Sequence, residues 1–354
     1  MMQLSPALKA IPAYIPGKPI EELERELGIV GAIKLASNEN PLGYSPKGMS
    51  ALMAKIKGIS RYPDSHTFLL KTGLAKKWNV KSDQIIIGNG SDEVISLLTR
   101  ALLMPGDTAI MADPTFSIYR LATLACHAHP IAIPLKEGRH DLPAMSKAIT
   151  KKTKIIFICN PNNPTGTIVY QKEVAQFLAR LRQDILVVFD EAYAEYATHK
   201  EFPHSDVFLK KGASIIFLRT FSKLYGLAGL RVGYGIGSSV LIDILNRVRQ
   251  PFNVNLPAQS AAFAALSDQT HVEKSLALNE QGKAYLYKQF SAMGIAYLPT
   301  QANFVYFQFP IKNAYNALLQ KGVIIRHLEG TSFRVSTGKI SEMRRFIHAL
   351  KEVS

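Results

Sequence analysis

Between residues 84 and 236 the chain alternates short, nearly unbroken apolar runs with longer amphipathic segments, and no other feature restricts the fold as tightly. The runs are QIIIG (84 to 88), TAIMA (108 to 112), AHPIAIPL (128 to 135), KIIFIC (154 to 159), DILVVFD (184 to 190), SIIFL (214 to 218) and RVGYGI (231 to 236). Most are apolar at consecutive positions, the pattern of strands covered on both faces inside a parallel sheet. SDEVISLLTRALL (91 to 103) and TIVYQKEVAQFLARLR (167 to 182) carry the helical period between them. Such alternation predicts an α/β fold built on a mainly parallel, doubly wound sheet of seven strands.

The texture then changes. NVNLPAQSAAFAAL (253 to 266) and the stretch from 268 to 294 read as long helices, and NFVYFQF (303 to 309), VIIRHL (323 to 328) and SFRVSTG (332 to 338) read as strands of a smaller α+β domain. Residues 1–40, rich in proline, form an arm that contributes part of the small domain; 41–255 form the large domain and 256–354 the small one. There is no internal repeat and no low-complexity segment.

A hydrophobic content of 47% fills a real core. No stretch approaches the roughly 20 apolar residues of a membrane span, and Pro6, Pro12 and Pro16 interrupt any signal-like segment, so a cytoplasmic location is expected. Cys126 and Cys159 lack metal-type spacing and are expected to be reduced and buried. A net charge of +15 admits nucleic acid or small anionic ligands. Basic clusters such as KKTK (151 to 154) and RR (344 to 345) lie scattered among acidic residues, with no basic helix or aromatic stripe beside them. That pattern favours solvated faces over a nucleic-acid surface.

In open α/β sheets ligands bind beyond the carboxyl ends of the strands. Four of these ends are unusual. IIIGNGSDEV places Gly88 and Gly90 before a helix whose first amides, with Ser91 and Asp92, suit a phosphate; Ser91 as a simple helix cap explains the same residues. IIFICNPNNPTGTIV makes an elaborate turn after Cys159: Thr165 or Thr167 would cap the next helix, while Asn163, held before a proline, is placed to donate to a ligand oxygen. Asp190 closes a very apolar run, either as a cap or as a buried carboxylate that needs a cation, with Tyr193 on the same side of the turn. Finally, IIFLRTFSKLYGLAGLRVGYG places Lys223 just past a strand and Arg231 eight residues on, with small residues between them. A desolvated lysine near other cations is a nucleophilic amine, whereas an exposed one is only a surface charge.

Together these ends meet the needs of pyridoxal phosphate: a lysine for its aldehyde, an anion for its ring nitrogen, donors for its phenolic oxygen and a phosphate cradle. Ser222 and Arg231 would neutralise the phosphate while Lys223 reaches the aldehyde carbon.

NPNNPTG, DEAY, TFSKLYGLAGLRVGY and FRVSTG, in this order, resemble the fold-type I pyridoxal-phosphate aminotransferases. AYIPGKPIEELERELG and IKLASNENPLG are similar to its histidinol-phosphate branch. The resemblance implies that Lys223 condenses with the cofactor, Asp190 pairs with the ring nitrogen, and Asn163 and Tyr193 contact the phenolic oxygen. It further implies that Ser91, Asp92, Ser222 and Arg231 hold the phosphate and that Phe116 stacks on the ring. Tyr62 of SRYPD would reach the cofactor phosphate of a neighbouring subunit, implying a homodimer. Arg334 would bind the substrate's anionic end, with Arg326, Tyr14 and Asn38 nearby. The implied reaction moves an amino group from histidinol phosphate to 2-oxoglutarate, giving glutamate, in histidine biosynthesis. The alternatives are an aromatic or other amino-acid aminotransferase and a phospho-amino-acid decarboxylase. Only HLEGTSF separates Arg326 from Arg334, a shorter loop than the resemblance implies, and VSTG stands where a more apolar ending is usual.

Overall fold

The apolar runs pair into one sheet. The structure, a computed structural model, describes residues 17–354. Across the sheet the order is Ile85–Gly88, Gly233–Ile236, Ile215–Thr220, Leu186–Asp190, Thr153–Cys159, Thr108–Asp113 and His129–Pro134. Gly233–Ile236 runs antiparallel to both neighbours and every other pairing is parallel.

Alternate residues feed two separate cores. Ile85, Ile87, Ile156, Ile158, Val187 and Phe189 pack on one face, and Ile86, Ile155, Phe157, Leu186 and Val188 on the other. This is the double coverage that continuous apolar runs require. His129–Pro134 is the exception: it lies at the edge, half-exposed, where Pro130 and Pro134 interrupt no second ladder. The run read as ending at Leu218 continues through Arg219 to Thr220. Arg219 is tolerated inside the sheet because Glu191 pairs with it at 2.6 Å, Glu195 lies at 3.3 Å, and the guanidinium stacks over Trp78 at 4.9 Å. RVGYGI begins its strand only at Gly233, since Arg231 has φ 55 and turns the chain.

The helix read over 167–182 spans only Gln171–Leu178. Thr165 and Thr167 do not cap it. They bond each other at 2.9 Å, and Thr167 donates to Gly138 O at 2.6 Å, so both hydroxyls pin the preceding loop.

The small domain is a four-stranded antiparallel sheet in the order Arg326–His327, Ser332–Ser336, Phe304–Gln308, Tyr297–Leu298. Phe290, Phe307, Phe333 and Phe346 fill its core. Ile33–Lys34 of the N-terminal segment pairs in parallel with Val323–Ile324, so the start of the described chain is built into this domain. Helix Leu256–Ala265, on the small-domain side of the sequence boundary, packs Ala258, Ala261, Ala262 and Ala265 into the large-sheet core. Its small side chains let helix Pro46–Lys55 approach so closely that a Cβ on Gly48 would lie 3.1 Å from Ala261 O. Helix Gln269–Ala292 then joins the two domains, with Leu286 and Phe290 in the small core. No helix among the described residues is long and apolar enough to cross a membrane.

The connection between Ile215–Thr220 and Gly233–Ile236 is a hairpin loop, which delivers Lys223 and Arg231 to the carboxyl edge of the parallel strands. Gly226 anchors this loop: its φ is 67°, and a Cβ there would lie 1.9 Å from Gly43 O. Gly226→Ala is expected to lower the unfolding free energy by ~2–4 kcal/mol through combined backbone strain and overlap, read as a fall in the urea midpoint with unchanged slope.

Candidate active site

One corner of the site is built for an anion. Gly90, at φ 81°, is the N-cap of helix Ser91–Leu102, so Ser91 is the first helical residue and its side chain makes no capping bond. A Cβ on Gly90 would lie 2.6 Å from Arg231 Nη2, and one on Gly233 2.4 Å from Ser91 N. Glycine at both positions lets the hairpin close on the helix terminus. Arg231 donates to Ser222 Oγ at 3.4 Å and lies 3.5 Å from the Asp92 carboxylate. A helix N-terminus beginning at Ser91, the Ser222 hydroxyl and a guanidinium thus converge, a donor set that fits a phosphate.

Asp190 ends its strand almost fully buried. Tyr119 Oη donates to its Oδ2 at 2.6 Å and Ala192 N to its Oδ1 at 3.2 Å. Burial pushes the carboxyl up to about 6, and the Tyr119 bond opposes that rise while Asp92 adds to it. The chain continues from it only into the short turn Ala194–Tyr196, so Asp190 is no helix cap. Nothing in the sequence singles out Tyr119; it lies in helix Ile118–Ala125 and stacks on Phe157 at 4.6 Å.

Lys223 donates from Nζ to Ser37 O at 2.9 Å, and Nζ lies 5.7 Å from the centre of the Tyr193 ring. Burial, reinforced by the positive charge of Arg334, pushes its amine down to about 8. It is therefore not the solvated surface charge that one reading of the sequence allowed. Asp92 acts electrostatically on both Lys223 and Asp190, and Tyr193 feels Asp190 as well as Arg334. These groups share one environment.

Arg334 closes the opposite side. It donates to Asn163 Oδ1 and, at 2.7 Å, to Ala36 O, and its guanidinium lies 5.2 Å from the centre of the Phe304 ring. Because Asn163 Oδ1 accepts from arginine, the donor capacity of its Nδ2 is not used in that bond. The short HLEGTSF segment is a hairpin that sets Arg326 directly across the ladder from Arg334.

Four further residues named from the sequence have the following surroundings. The Asn38 carboxamide bonds within the protein: Nδ2 donates to Tyr193 Oη at 2.9 Å and Oδ1 accepts from Ser336 Oγ at 3.0 Å. Phe116 meets Tyr119 edge-to-face at 5.6 Å. Tyr62 is 82% exposed and stacks on Phe252 at 4.6 Å, outside this cluster. Tyr14 lies outside the described residues. Of the cysteines, both are free; Cys159 is buried, but Cys126 is only half-buried because it terminates an exposed helix end. Among the described residues no group of three or more His, Cys, Asp or Glu is arranged to hold a metal ion.

A seven-stranded, mostly parallel sheet clad in helices is the α/β fold of the fold-type I aminotransferases. Residues 30–350 match the model of the aminotransferase class I and II family, and the chain belongs to that family. It is 49% identical over 354 residues to the histidinol-phosphate aminotransferase of Moorella thermoacetica, covering 98% of this chain and 92% of that protein. The corresponding protein of Caldicellulosiruptor saccharolyticus is 47% identical, with 98% of each chain covered. Among solved structures, histidinol-phosphate aminotransferase from Sinorhizobium meliloti, in complex with pyridoxal-5'-phosphate, superposes with a TM-score of 0.91 at 26% identity, covering 100% of this chain and 98% of that one.

The raised Asp190 carboxyl has a measurable sign. Between its ordinary value of 3.8 and about 6 the native state binds more protons than the unfolded chain, so Asp190's contribution to stability falls as pH rises through that window. In cofactor-free protein, Asp190→Asn is expected to raise stability by ~2 kcal/mol at pH 7 and by little near pH 4, measured by denaturant unfolding at the two pH values.

Proposed function

We propose that this protein is a pyridoxal-phosphate-dependent aminotransferase that transfers the amino group of histidinol phosphate to 2-oxoglutarate. The near-full-length relatives named as histidinol-phosphate aminotransferases support the reading. The observation that carries it is the gathering of Lys223, Asp190, Tyr193 and Arg334 at one sheet edge beside the Gly90–Arg231 anion corner. In this reading Ser91, Asp92, Ser222 and Arg231 would hold the cofactor's phosphate, Asp190 would pair with its ring nitrogen, Asn163 and Tyr193 would contact its phenolic oxygen, and Phe116 would stack on the ring.

When bound, pyridoxal phosphate supplies an aldehyde that condenses with amines and a ring that draws electrons from the substrate's α-carbon. The chain supplies the rest. Asp190 is largely ionised at neutral pH, and a cation beside it would hold it so. Lys223, its amine pushed down to about 8, has a neutral fraction near pH 7 and removes a proton from the substrate α-carbon with Nζ. Histidinol phosphate has no α-carboxylate, so Arg334, with Arg326 across the ladder, meets its phosphate. Phenylalanine-like and phospho-amino-acid substrates also present an anion to Arg334, and comparing turnover of histidinol phosphate, phenylalanine and O-phosphothreonine separates these readings.

We also propose a homodimer, supported by the exposed apolar side chains of Met53, Ile59, Tyr62, Phe68 and Phe252. A cytoplasmic location accords with the two free cysteines.

Lys223→Ala should abolish the bleaching of bound cofactor by histidinol phosphate and lower turnover by at least ~10³-fold; normal turnover refutes its assignment. Arg334→Gln should raise KM for histidinol phosphate ~10–100-fold with a smaller change in kcat. Sedimentation should give a dimer, and Tyr62→Phe should weaken cofactor retention in equilibrium dialysis about tenfold; a monomer that retains full activity refutes the shared site.

A further inference from the structure

Asn38 has a backbone φ of 55°, in the left-handed region that asparagine tolerates better than most residues, and it is 1% exposed. Its polar groups are spent within the protein. Asn38 N donates to Ser336 Oγ at 2.8 Å, Ser336 Oγ donates to Asn38 Oδ1 at 3.0 Å, and Asn303 Nδ2 donates to Asn38 O at 3.0 Å. The remaining group, Nδ2, donates to Tyr193 Oη at 2.9 Å. Ser336 belongs to strand Ser332–Ser336 of the small domain, two positions beyond Arg334, whereas Tyr193 packs in the large-sheet core.

We infer that Ser336 and Asn38 form a relay that fixes the direction of the Tyr193 hydroxyl, turning its hydrogen toward the cavity and making Tyr193 a donor to an anionic oxygen there. The inference rests on the role given to Tyr193 above and deepens it. Rotating the Asn38 carboxamide by half a turn would bring Oδ1 to Tyr193, which would then donate to Asn38 and present only lone pairs to the cavity. That rotation would leave the buried Ser336 hydroxyl hydrogen without its acceptor, a cost that holds the amide in the observed orientation. With one Tyr193 lone pair occupied by Nδ2, the O–H bond points away from Asn38. Asn38 and Ser336 are positioning residues.

The relay is tested on the protein loaded with pyridoxal phosphate, by following the absorbance of the bound chromophore against pH. A donor to the phenolic oxygen stabilises its anion and lowers the titration midpoint. Tyr193→Phe, Asn38→Leu and Ser336→Ala should therefore each raise the midpoint, the first by about one pH unit and the others by about half a unit or more. The titratable groups that face Tyr193, namely Lys223, Arg334, Cys159, Asp190 and Tyr196, are intact in all three variants. In the Tyr193→Phe background, Asn38→Leu and Ser336→Ala should add no further shift. Shifts that persist undiminished in that background overturn the relay, because Asn38 and Ser336 then act by another route. A Tyr193→Phe shift with both other variants unmoved also overturns it, while leaving Tyr193 in its role. An unmoved Tyr193→Phe variant removes that role first and the relay with it. Should Asn38→Leu fail to fold, Ser336→Ala, which deletes a single hydroxyl, carries the test.

Discussion

The site depends on the desolvation of two opposite charges that do not pair with each other. Asp190 is pushed up and Lys223 pushed down mainly by burial. Each is therefore held in a state that a bound group of complementary chemistry would relieve. The nearby contacts, Tyr119 on the carboxylate and Ser37 O on the amine, satisfy hydrogen bonding without supplying a countercharge. This contrasts with Arg219 and Glu191 one strand position away, which are buried as a pair and neutralise one another. The same sheet thus holds a closed ion pair behind the site and, within it, two buried charges that do not pair with each other.

Much of the large domain was legible because a strand covered on both faces writes a continuous apolar run, and the ends of those runs carry Asp190 and, three residues past Thr220, Lys223. The misreadings share a cause: side chains that serve a distant partner look like local signals. Arg219 resembled a strand end because its partner, Glu191, lies 28 positions away. Thr165 and Thr167 resembled caps but bond within a loop that reaches Gly138. The helix Leu256–Ala265 looked like the start of the small domain because helical texture does not say which core receives the alanines.

Site residues obeyed the same rule. Motif spacing pointed to the four strand ends, yet nothing local distinguishes Tyr119 from any aromatic residue on an amphipathic helix. Asn38 was picked out, but its sequence neighbours give no hint that its carboxamide is committed to Tyr193 and Ser336. The Arg326–Arg334 hairpin, unusual as a sequence because it is short, is in the structure a direct way of placing two cations side by side on adjacent strands.

The bond between Ser336 and Asn38 joins positions 298 residues apart, and Arg334 reaches Ala36 across the same separation. A chain emerging from synthesis therefore contains the residues of the anion corner long before it can close the opposite wall, which waits for strand Ser332–Ser336. Until that strand is made, the lysine hairpin and the carbonyls of Ala36 and Ser37 exist without the Arg334 guanidinium, so this wall is completed only by joining the two most distant parts of the described chain.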